Sequence, residues 1–237
     1  MDDGDIKALV FDVFGTVVDW RTSIAREAEK CLSSKRYALD WLSFADAWRG
    51  KYQPAMQKIR NGSRGFVRLD VLHKENLIEV LNDFDIKGLN DLELDNLNKA
   101  WHRLDPWPDS VSGLVRLKKK FIIGTMSNGN VALMVNMAKH GDLPWDVILG
   151  AEPAQSYKPE PRTYLTGVDW LNLKPSEVLM CAAHNSDLLA AAAQGLRTAF
   201  IARPTEYGPN QKEDFKAEHD FDYVSESMID LADQLGC

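Results

Sequence analysis

The hydrophobic and polar positions of this chain follow two different patterns, which divide it near residue 104. Between about residues 20 and 104, apolar residues recur every three or four positions, as in amphipathic helices. Asp19 or Thr22 is placed to cap a first helix that runs to residue 35, and Asp40 to cap a second. An Asn-Gly pair at 61–62 interrupts the second run, and two further apolar stripes follow. This half therefore predicts four or five helices and no strand.

From residue 105 onward, short apolar runs alternate with helical periodicity. In this half, strands are predicted over 121–125, 147–149, 178–182 and 198–201, and helices over 131–140, 161–171, 187–194 and 225–235. One more strand is predicted near the start of the chain, over 8–11. Strands that alternate with helices form parallel sheets covered on both faces. The expected fold class is therefore α/β, with a Rossmann-like parallel sheet core.

The strand over 8–11 lies far from the other strands in sequence, with the helical half between them. We expect this strand to join the same sheet, so that the helices form an insertion. The predicted core domain comprises 1–18 and 105–237, and the predicted helical cap domain 19–104. Residues 105–109, which contain two prolines, are expected to be a linker.

Composition narrows the function classes. The chain has 237 residues, of which 45% are apolar, enough for one core and a modest insertion. Its net charge of −7 argues against nucleic acids and acidic membranes as partners. The first residues resemble no secretory signal, no apolar run has membrane-spanning length, and three scattered cysteines lack metal-site spacing. A cytoplasmic protein is expected.

The segment 11–16, Phe-Asp-Val-Phe-Gly-Thr, is the most informative in the chain. Asp12 follows an apolar strand, and the carboxyl ends of such strands are where open α/β sheets bind ligands. Gly15 permits a tight turn whose N–H groups point toward an anion beside Asp12. Asp12 is therefore a candidate reactive group.

Polar residues follow three further strands or loops in the same half of the chain. Each has an ordinary structural explanation, because Ser-Asn-Gly caps helices, Lys-Pro occurs in surface loops and Asp is a common N-cap. Together and in this order they predict one site. They are Ser127-Asn128-Gly129, Lys158, and Asp187 with the preceding His184 and Asn185.

These four segments resemble the motifs of the haloacid dehalogenase superfamily, whose phosphatase members carry Asp-x-Asp-x-Thr in the first motif. Phe14 stands here in place of the second aspartate. Within the superfamily the chain is similar to type II 2-haloacid dehalogenases over nearly its full length. The similarity includes Trp48-Arg49, Tyr157-Lys158-Pro159, Arg162 and Tyr164.

Phe14 separates two kinds of chemistry. A phosphomonoesterase needs a general acid to protonate its leaving alkoxide, and Phe14 has no proton to donate. A halide ion leaves without protonation, and an apolar ring suits a halogenated carbon. The phosphatases also use Mg²⁺ on the first aspartate and an acidic pair in the fourth motif. Here Asp187 has no second carboxylate beside it, so neither a metal nor any other cofactor is expected.

The resemblance implies a role for each residue. Asp12 would attack the substrate and form an ester, while Lys158 would keep it ionised. Ser127 and the N–H groups of Val13 and Phe14 would hold the substrate carboxylate, Arg49 and Asn128 the halide, with Thr16 and Tyr164 in support.

The water-activating group is left open by the sequence. His184 is one candidate, because a neutral imidazole is a suitable base near pH 7, and Asp19 is a candidate to orient it. Asn185 and Asp187 are the alternatives.

The expected activity is hydrolysis of (S)-2-haloacids, small-molecule substrates, to 2-hydroxy acids. Two alternatives remain: a Mg²⁺-dependent phosphomonoesterase of the same superfamily, and a non-catalytic binding protein that keeps the fold. A homodimer also remains open.

Overall fold

The computed structural model describes residues 5–33, 37 and 39–237. Within them, six strands form a parallel sheet in the order β5-β4-β1-β6-β7-β8. These strands are β1 (Ala8–Phe11), β4 (Ile122–Ser127), β5 (Val147–Gly150), β6 (Val178–Ala182), β7 (Arg197–Ile201) and β8 (Tyr223–Ser225).

The central strand β1 shows why its apolar run becomes a fully covered strand. Leu9 and Phe11 pack into the core on one face of the sheet, and Ala8 and Val10 into the core on the other. A strand buried on both faces requires a continuous apolar sequence, as β1 has. Its neighbours are β4 and β6, so the chain that leaves β1 at Asp12 emerges between two other strand ends.

Among the described residues, five α-helices lie between Asp19 and Asp105 in sequence, and we call them the cap helices. They are α1 (Trp20–Leu32), α2 (Trp41–Gly50), α3 (Tyr52–Arg60), α4 (Leu69–Asp83) and α5 (Asp91–Asn98), followed by a 3₁₀ turn over Lys99–His102. Asp19 caps α1 by accepting from the Thr22 N–H, and Asp40 caps α2 by accepting from the Leu42 and Ser43 N–H groups. Both predicted caps are confirmed.

One predicted helix boundary differs from the structure, and another is not tested by it. The second predicted helix is two helices in the structure. Lys51 ends α2, and α3 begins at the next residue. The predicted end of the first helix at residue 35 falls outside the described residues, and α1 ends at Leu32. The division of the chain into core and cap domains at 18/19 and 104/105 stays a prediction.

The cap helices join the sheet through two short strands that pair with each other. Strand β2 (Val18–Asp19) runs antiparallel to β3 (Asp105–Pro106), with Val18 opposite Pro106 and Asp19 opposite Asp105. Residues 105–106, predicted as a linker, therefore form a strand. This strand pairs with the one that leads into the cap helices.

The remaining helices cover the sheet. They are α6 (Ser110–Lys118), α7 (Val131–His140), α8 (Ala151–Ala154), α9 (Pro161–Trp170), α10 (Asn185–Ala192) and α11 (Met228–Gln234). The prediction missed α6, whose Gly113 packs against Met228 so closely that a Cβ would lie 2.5 Å from its Cγ. The predicted helix over 225–235 starts too early, because Ser225 pairs in β8 and Ser227 caps α11.

Aromatic side chains join the sheet to the cap helices. The Phe14 ring, just beyond β1, meets Trp101 edge-on at 5.8 Å between ring centroids, and Trp101 in turn meets Trp48 at 5.4 Å. Edge-to-face pairs at this spacing are favourable beyond the area they bury. Among the described residues, no helix combines the length and apolar character that crossing a membrane requires.

Candidate active site

Asp12 lies at the carboxyl end of the central strand, with its side chain buried beneath the cap helices. Its backbone N–H donates to the Cys181 carbonyl oxygen at 3.0 Å, which continues the pairing of β1 with β6 for one residue. The Thr16 Oγ1 donates to Asp12 Oδ2 at 2.8 Å and accepts from the Ala183 N–H at 2.9 Å. Thr16 therefore fixes the carboxylate against the end of β6.

Lys158 places its ammonium between two carboxylates. Its Nζ donates to Asp12 Oδ1 at 2.9 Å and also to Asp187 Oδ2. The other Asp187 oxygen, Oδ1, accepts from the Tyr164 hydroxyl at 2.6 Å. Because both Asp187 oxygens are engaged, this carboxylate is better placed to hold Lys158 than to accept a proton from water.

Electrostatics keep Asp12 ionised. Burial by itself raises the pKa of a carboxyl group, but the charges and hydrogen bonds of Lys158 and His184 outweigh it. The net effect holds the pKa of Asp12 well below its usual range. For Lys158, burial lowers the pKa, and Asp12 and Asp187 raise it by more, so the ammonium stays charged.

His184 lies between two carboxylates. Its Nδ1 is 3.1 Å from Asp12 Oδ2, and its Nε2 is 2.9 Å from Glu206 Oε2. Burial lowers the pKa of this imidazole, but Glu206 and Asp12 raise it well above the ordinary histidine value. Both carboxylate contacts therefore favour the protonated form of the ring.

Glu206 was not found by the sequence analysis. Its side chain is fully buried and also accepts from the Trp20 Nε1 at 2.9 Å. It reaches the site because Gly15, at φ +89°, leaves room for it: a Cβ there would lie 2.0 Å from Glu206 Oε1. Glu206 takes the place that the sequence analysis suggested for Asp19, whose carboxylate instead caps α1.

Arg49 extends from α2 into the pocket. Its guanidinium carbon Cζ lies 4.1 Å from the centroid of the Tyr52 ring and 5.5 Å from that of Trp20, within cation–π distance. The Nη1 atom is buried and has no hydrogen-bond partner among the described residues. A buried donor without a partner is costly unless a ligand or water completes it.

Ser127, the last residue of β4, and Asn128, which follows it, make different contacts. The Ser127 Oγ accepts from the Gly129 N–H at 3.1 Å, and Asn128 Oδ1 accepts from the Lys158 N–H at 2.8 Å. Since its oxygen is engaged, Asn128 offers its amide N–H groups to the pocket it lines. Among the described residues, the N–H groups of Val13 and Phe14 make no hydrogen bond to another residue.

Asn185 points away from the nucleophile. Its amide nitrogen donates to Asp214 Oδ1 at 2.9 Å and to the Lys216 carbonyl oxygen at 3.1 Å, and its oxygen accepts from the Glu218 N–H at 2.8 Å. These contacts hold the loop between β7 and β8. The geometry therefore favours His184 over Asn185 as the group nearest the nucleophile.

A cavity of about 220 Å³ unites most of the expected residues. It is lined by Asp12, Phe14, Arg49, Asn128, Lys158, Tyr164, His184 and Asp187. Val13, Thr16, Ser127 and Asn185 do not line it. Tyr52, Gln53, Pro159, Ser186, Tyr207 and Asp214 also line it, and sequence reasoning did not find them as site residues.

The donor set does not suit the Mg²⁺ that phosphatases of similar sequence use. A divalent cation bound by Asp12 and Asp187 would have to displace the Lys158 ammonium, which already bonds both. Within the described ranges, no cluster of three or more His, Cys, Asp or Glu side chains is arranged to hold a metal ion.

Comparisons with known proteins identify the family of the chain. The family profile of haloacid dehalogenase-like hydrolases matches residues 6–195. The (S)-2-haloacid dehalogenase 1 of Pseudomonas sp. strain CBS-3 is 30% identical over 215 residues, which cover 85% of this chain and 88% of the relative.

Two solved structures share the fold closely. A defluorinating L-2-haloacid dehalogenase is 48% identical with a TM-score of 0.96, covering 98% of this chain and 96% of its own. A second L-2-haloacid dehalogenase is 44% identical with a TM-score of 0.93, covering 97% and 98%. The chain thus belongs to the haloacid dehalogenase-like hydrolases, and within them to the 2-haloacid dehalogenases.

Proposed function

We propose that this protein hydrolyses (S)-2-haloacids to 2-hydroxy acids through an ester on Asp12. The observation that carries the proposal is the pairing of an ionised, buried Asp12 with Phe14, which lines the same cavity and cannot donate a proton. Such a site suits a leaving group that departs as a stable anion. The relatives named (S)-2-haloacid dehalogenase support the substrate class and its handedness.

In the first step, an Asp12 oxygen attacks C2 of the substrate from the side opposite the halogen. The new C–O bond forms as the carbon–halogen bond breaks, and its electron pair leaves with the halide. Attack from behind inverts C2, which converts an (S)-haloacid into an (R)-hydroxy acid. Arg49 Nη1 and the Asn128 amide are the donors available to the departing anion.

The substrate carboxylate needs donors away from Asp12. The N–H groups of Val13 and Phe14 lie in the turn directly after Asp12, and Ser127 is the last residue of the adjacent strand β4. Backbone N–H groups in a turn favour anions without adding a full charge. This assignment follows the family resemblance, and the unpaired N–H groups support it.

In the second step, water attacks the Asp12 carbonyl carbon, the ester C–O bond on that carbon breaks, and the hydroxy acid leaves. His184 is the group we propose to take the water proton, because its Nδ1 lies 3.1 Å from Asp12. Glu206 holds the far side of the ring. Lys158 stays bonded to the regenerated carboxylate.

The phosphomonoesterase alternative has less support. It lacks a general acid at Phe14, and the two carboxylates that would hold Mg²⁺, Asp12 and Asp187, both already bond the Lys158 ammonium. The non-catalytic alternative does not explain why an ionised carboxylate is buried beneath an arginine with an unpaired Nη1.

Halide release from (S)- and (R)-2-chloropropionate, bromoacetate, chloroacetate and fluoroacetate tests the proposal, each with and without EDTA. We expect halide from the (S) acid and the acetates, with no loss in EDTA. Phosphate release by the same enzyme from p-nitrophenyl phosphate with Mg²⁺ tests the phosphomonoesterase alternative. Phosphate release without any halide release would favour the phosphatase alternative.

A further inference from the structure

We propose that the His184 bridge between Asp12 and Glu206 stores a proton in the resting enzyme and releases it when Asp12 becomes an ester. The proton then leaves with the halide, before the ester is hydrolysed, and His184 becomes the neutral base of the second step. Glu206 is the positioning residue of this device. The inference rests on the proposed function.

The first argument is the hydrogen-bond inventory of the ring. Carboxylates only accept hydrogen bonds, so an imidazole with one on each ring nitrogen donates from both only when it is protonated. His184 has Asp12 Oδ2 at 3.1 Å from Nδ1 and Glu206 Oε2 at 2.9 Å from Nε2. The ring is largely buried, with 14% of its side chain exposed.

The second argument concerns the charged groups around the ring. Arg49, Tyr207, Asp187 and Asp214 line the same cavity as His184, and Lys158 is connected to the ring through Asp12. Tyr207 is neutral near pH 7 since its pKa is raised, chiefly by burial. The cations do not favour a charged imidazole, so its proton depends on Asp12 and Glu206.

Esterification removes one of these two supports. An alkylated Asp12 carries no charge, and its oxygens are weaker acceptors than those of a carboxylate. His184 is then left with one carboxylate partner and Arg49 still nearby, which favours loss of the proton. A neutral ring with Nε2–H on Glu206 directs the Nδ1 lone pair toward the ester, where the attacking water must lose its proton.

The reaction balances with this order of events. In the first step, haloacid and protonated enzyme give ester, halide and a proton released to solvent. In the second, water adds to the Asp12 carbonyl carbon and one of its protons moves to His184. The ester C–O bond on that carbon then breaks, and the other water proton passes to the departing oxygen, so that the hydroxy acid leaves and Asp12 is again a carboxylate. Each turnover releases one halide and one proton, and the resting state is restored.

A titration of the His184 imidazole by NMR tests the storage step without any haloacid. Asp12→Asn is an isosteric, uncharged substitute for the esterified nucleophile. We expect wild-type His184 to remain an imidazolium through neutral pH, above the ordinary histidine range, and to titrate at lower pH in Asp12→Asn. Glu206→Gln should also lower the titration midpoint. His184→Gln identifies the signal, and the exposed His219 is the internal control.

A wild-type His184 that is neutral at pH 7 would overturn the proposal, as would a ring equally charged in wild type and Asp12→Asn. If Asp12→Asn fails to fold, the Glu206→Gln titration carries the same comparison. An enzyme that releases no halide would contradict the proposed function and leave this titration readable, so the two failures are distinguishable.

A stopped-flow single turnover tests the timing. With excess enzyme in weak buffer, a pH dye should report about one proton per halide, at the rate of halide release. His184→Gln should release halide without the proton phase. A proton phase slower than halide release, following decay of the ester, would show that the proton stays on Glu206 or His184 and would overturn the timing. Glu206→Gln should lower kcat more than it changes KM.

Discussion

Lys158 donates to Asp12 Oδ1 at 2.9 Å across 146 residues of sequence. The contact joins the residue that follows the central strand to a loop that precedes α9, and it places a permanent positive charge against the nucleophile. Since Lys158 also bonds Asp187, which Tyr164 holds, the orientation of the nucleophile depends on a chain of four side chains.

Replacing Asp12 by Asn should reduce turnover by several orders of magnitude, because the amide cannot form the ester. A wild-type single turnover in H₂¹⁸O should place the label in the peptide that contains Asp12. Label found directly in the first-turnover product would mean that water attacks the substrate itself, and the covalent route would be wrong.

Replacing Lys158 by Met should move the acid limb of kcat/KM to higher pH. Asp12 has a depressed pKa in the folded protein, so its ionised form, and the stability it contributes, are present at neutral pH and lost only as pH falls through that low pKa. Without the ammonium, the pKa rises and protonation begins at higher pH. Lys174→Met, at an exposed position, should leave the pH profile of kcat/KM unchanged. An equal shift in that variant would mean that the charge of Lys158 beside Asp12 is not the cause.

Replacing Arg49 by Lys should reduce kcat by about 10²–10³-fold, the usual cost of losing one aligned donor to a developing anion. Lysine keeps the charge but loses the planar contact with Tyr52 and the fixed direction of Nη1. Arg162→Lys, at an exposed site on α9, is the matched control. If Arg49→Lys has the same kinetics as Arg162→Lys, Arg49 does not donate to the departing halide.

Replacing His184 by Ala should allow ester formation and stall its hydrolysis. Mass spectrometry should then find an adduct on the Asp12 peptide, with about one halide released per enzyme in a burst. The exposed His219→Ala variant should turn over normally. Normal turnover of His184→Ala would transfer the water-activating role to Asp187.

Replacing Gly15 by Ala should lower both stability and activity. The residue has φ +89°, and its new Cβ would lie 2.0 Å from Glu206 Oε1, so Glu206 must move away from His184. Gly62→Ala provides the control, since Gly62 has φ +77° with nothing within 4 Å of its Cβ position. Backbone strain at such positions costs about 1–3 kcal/mol. The loss in Gly15→Ala beyond that in Gly62→Ala measures the clash.

The strand ends were predictable from sequence because each is marked locally. Asp12 and Lys158 lie where an apolar run or a Lys-Pro pair identifies the position, and the order of the motifs indicates a shared site. The central strand and α7 have the predicted bounds.

Glu206 and Tyr52 carry no such local mark. Glu206 reaches His184 only because of the missing Cβ at Gly15 and the course of a long loop after β7. Tyr52 lines the cavity because the chain breaks at Lys51 and α3 begins with Tyr52. Both depend on contacts between segments that are distant or newly separated in sequence, so residue type and spacing do not reveal them.

The pairing of Val18–Asp19 with Asp105–Pro106 bears on how the segment between them could be replaced, in the laboratory or during evolution. Adjacent antiparallel strands bring their Cα atoms to about 4.5–5.5 Å, so the helices between them begin and end at nearly one point. The distance between the two ends of the segment therefore sets no limit on its length. Asp12, Lys158, His184 and Glu206 all lie outside that segment, whereas Arg49 and Tyr52 lie within it. Exchange of the segment would therefore replace Arg49, Tyr52 and the Trp20 donor to Glu206, while the nucleophile and its lysine would stay in place.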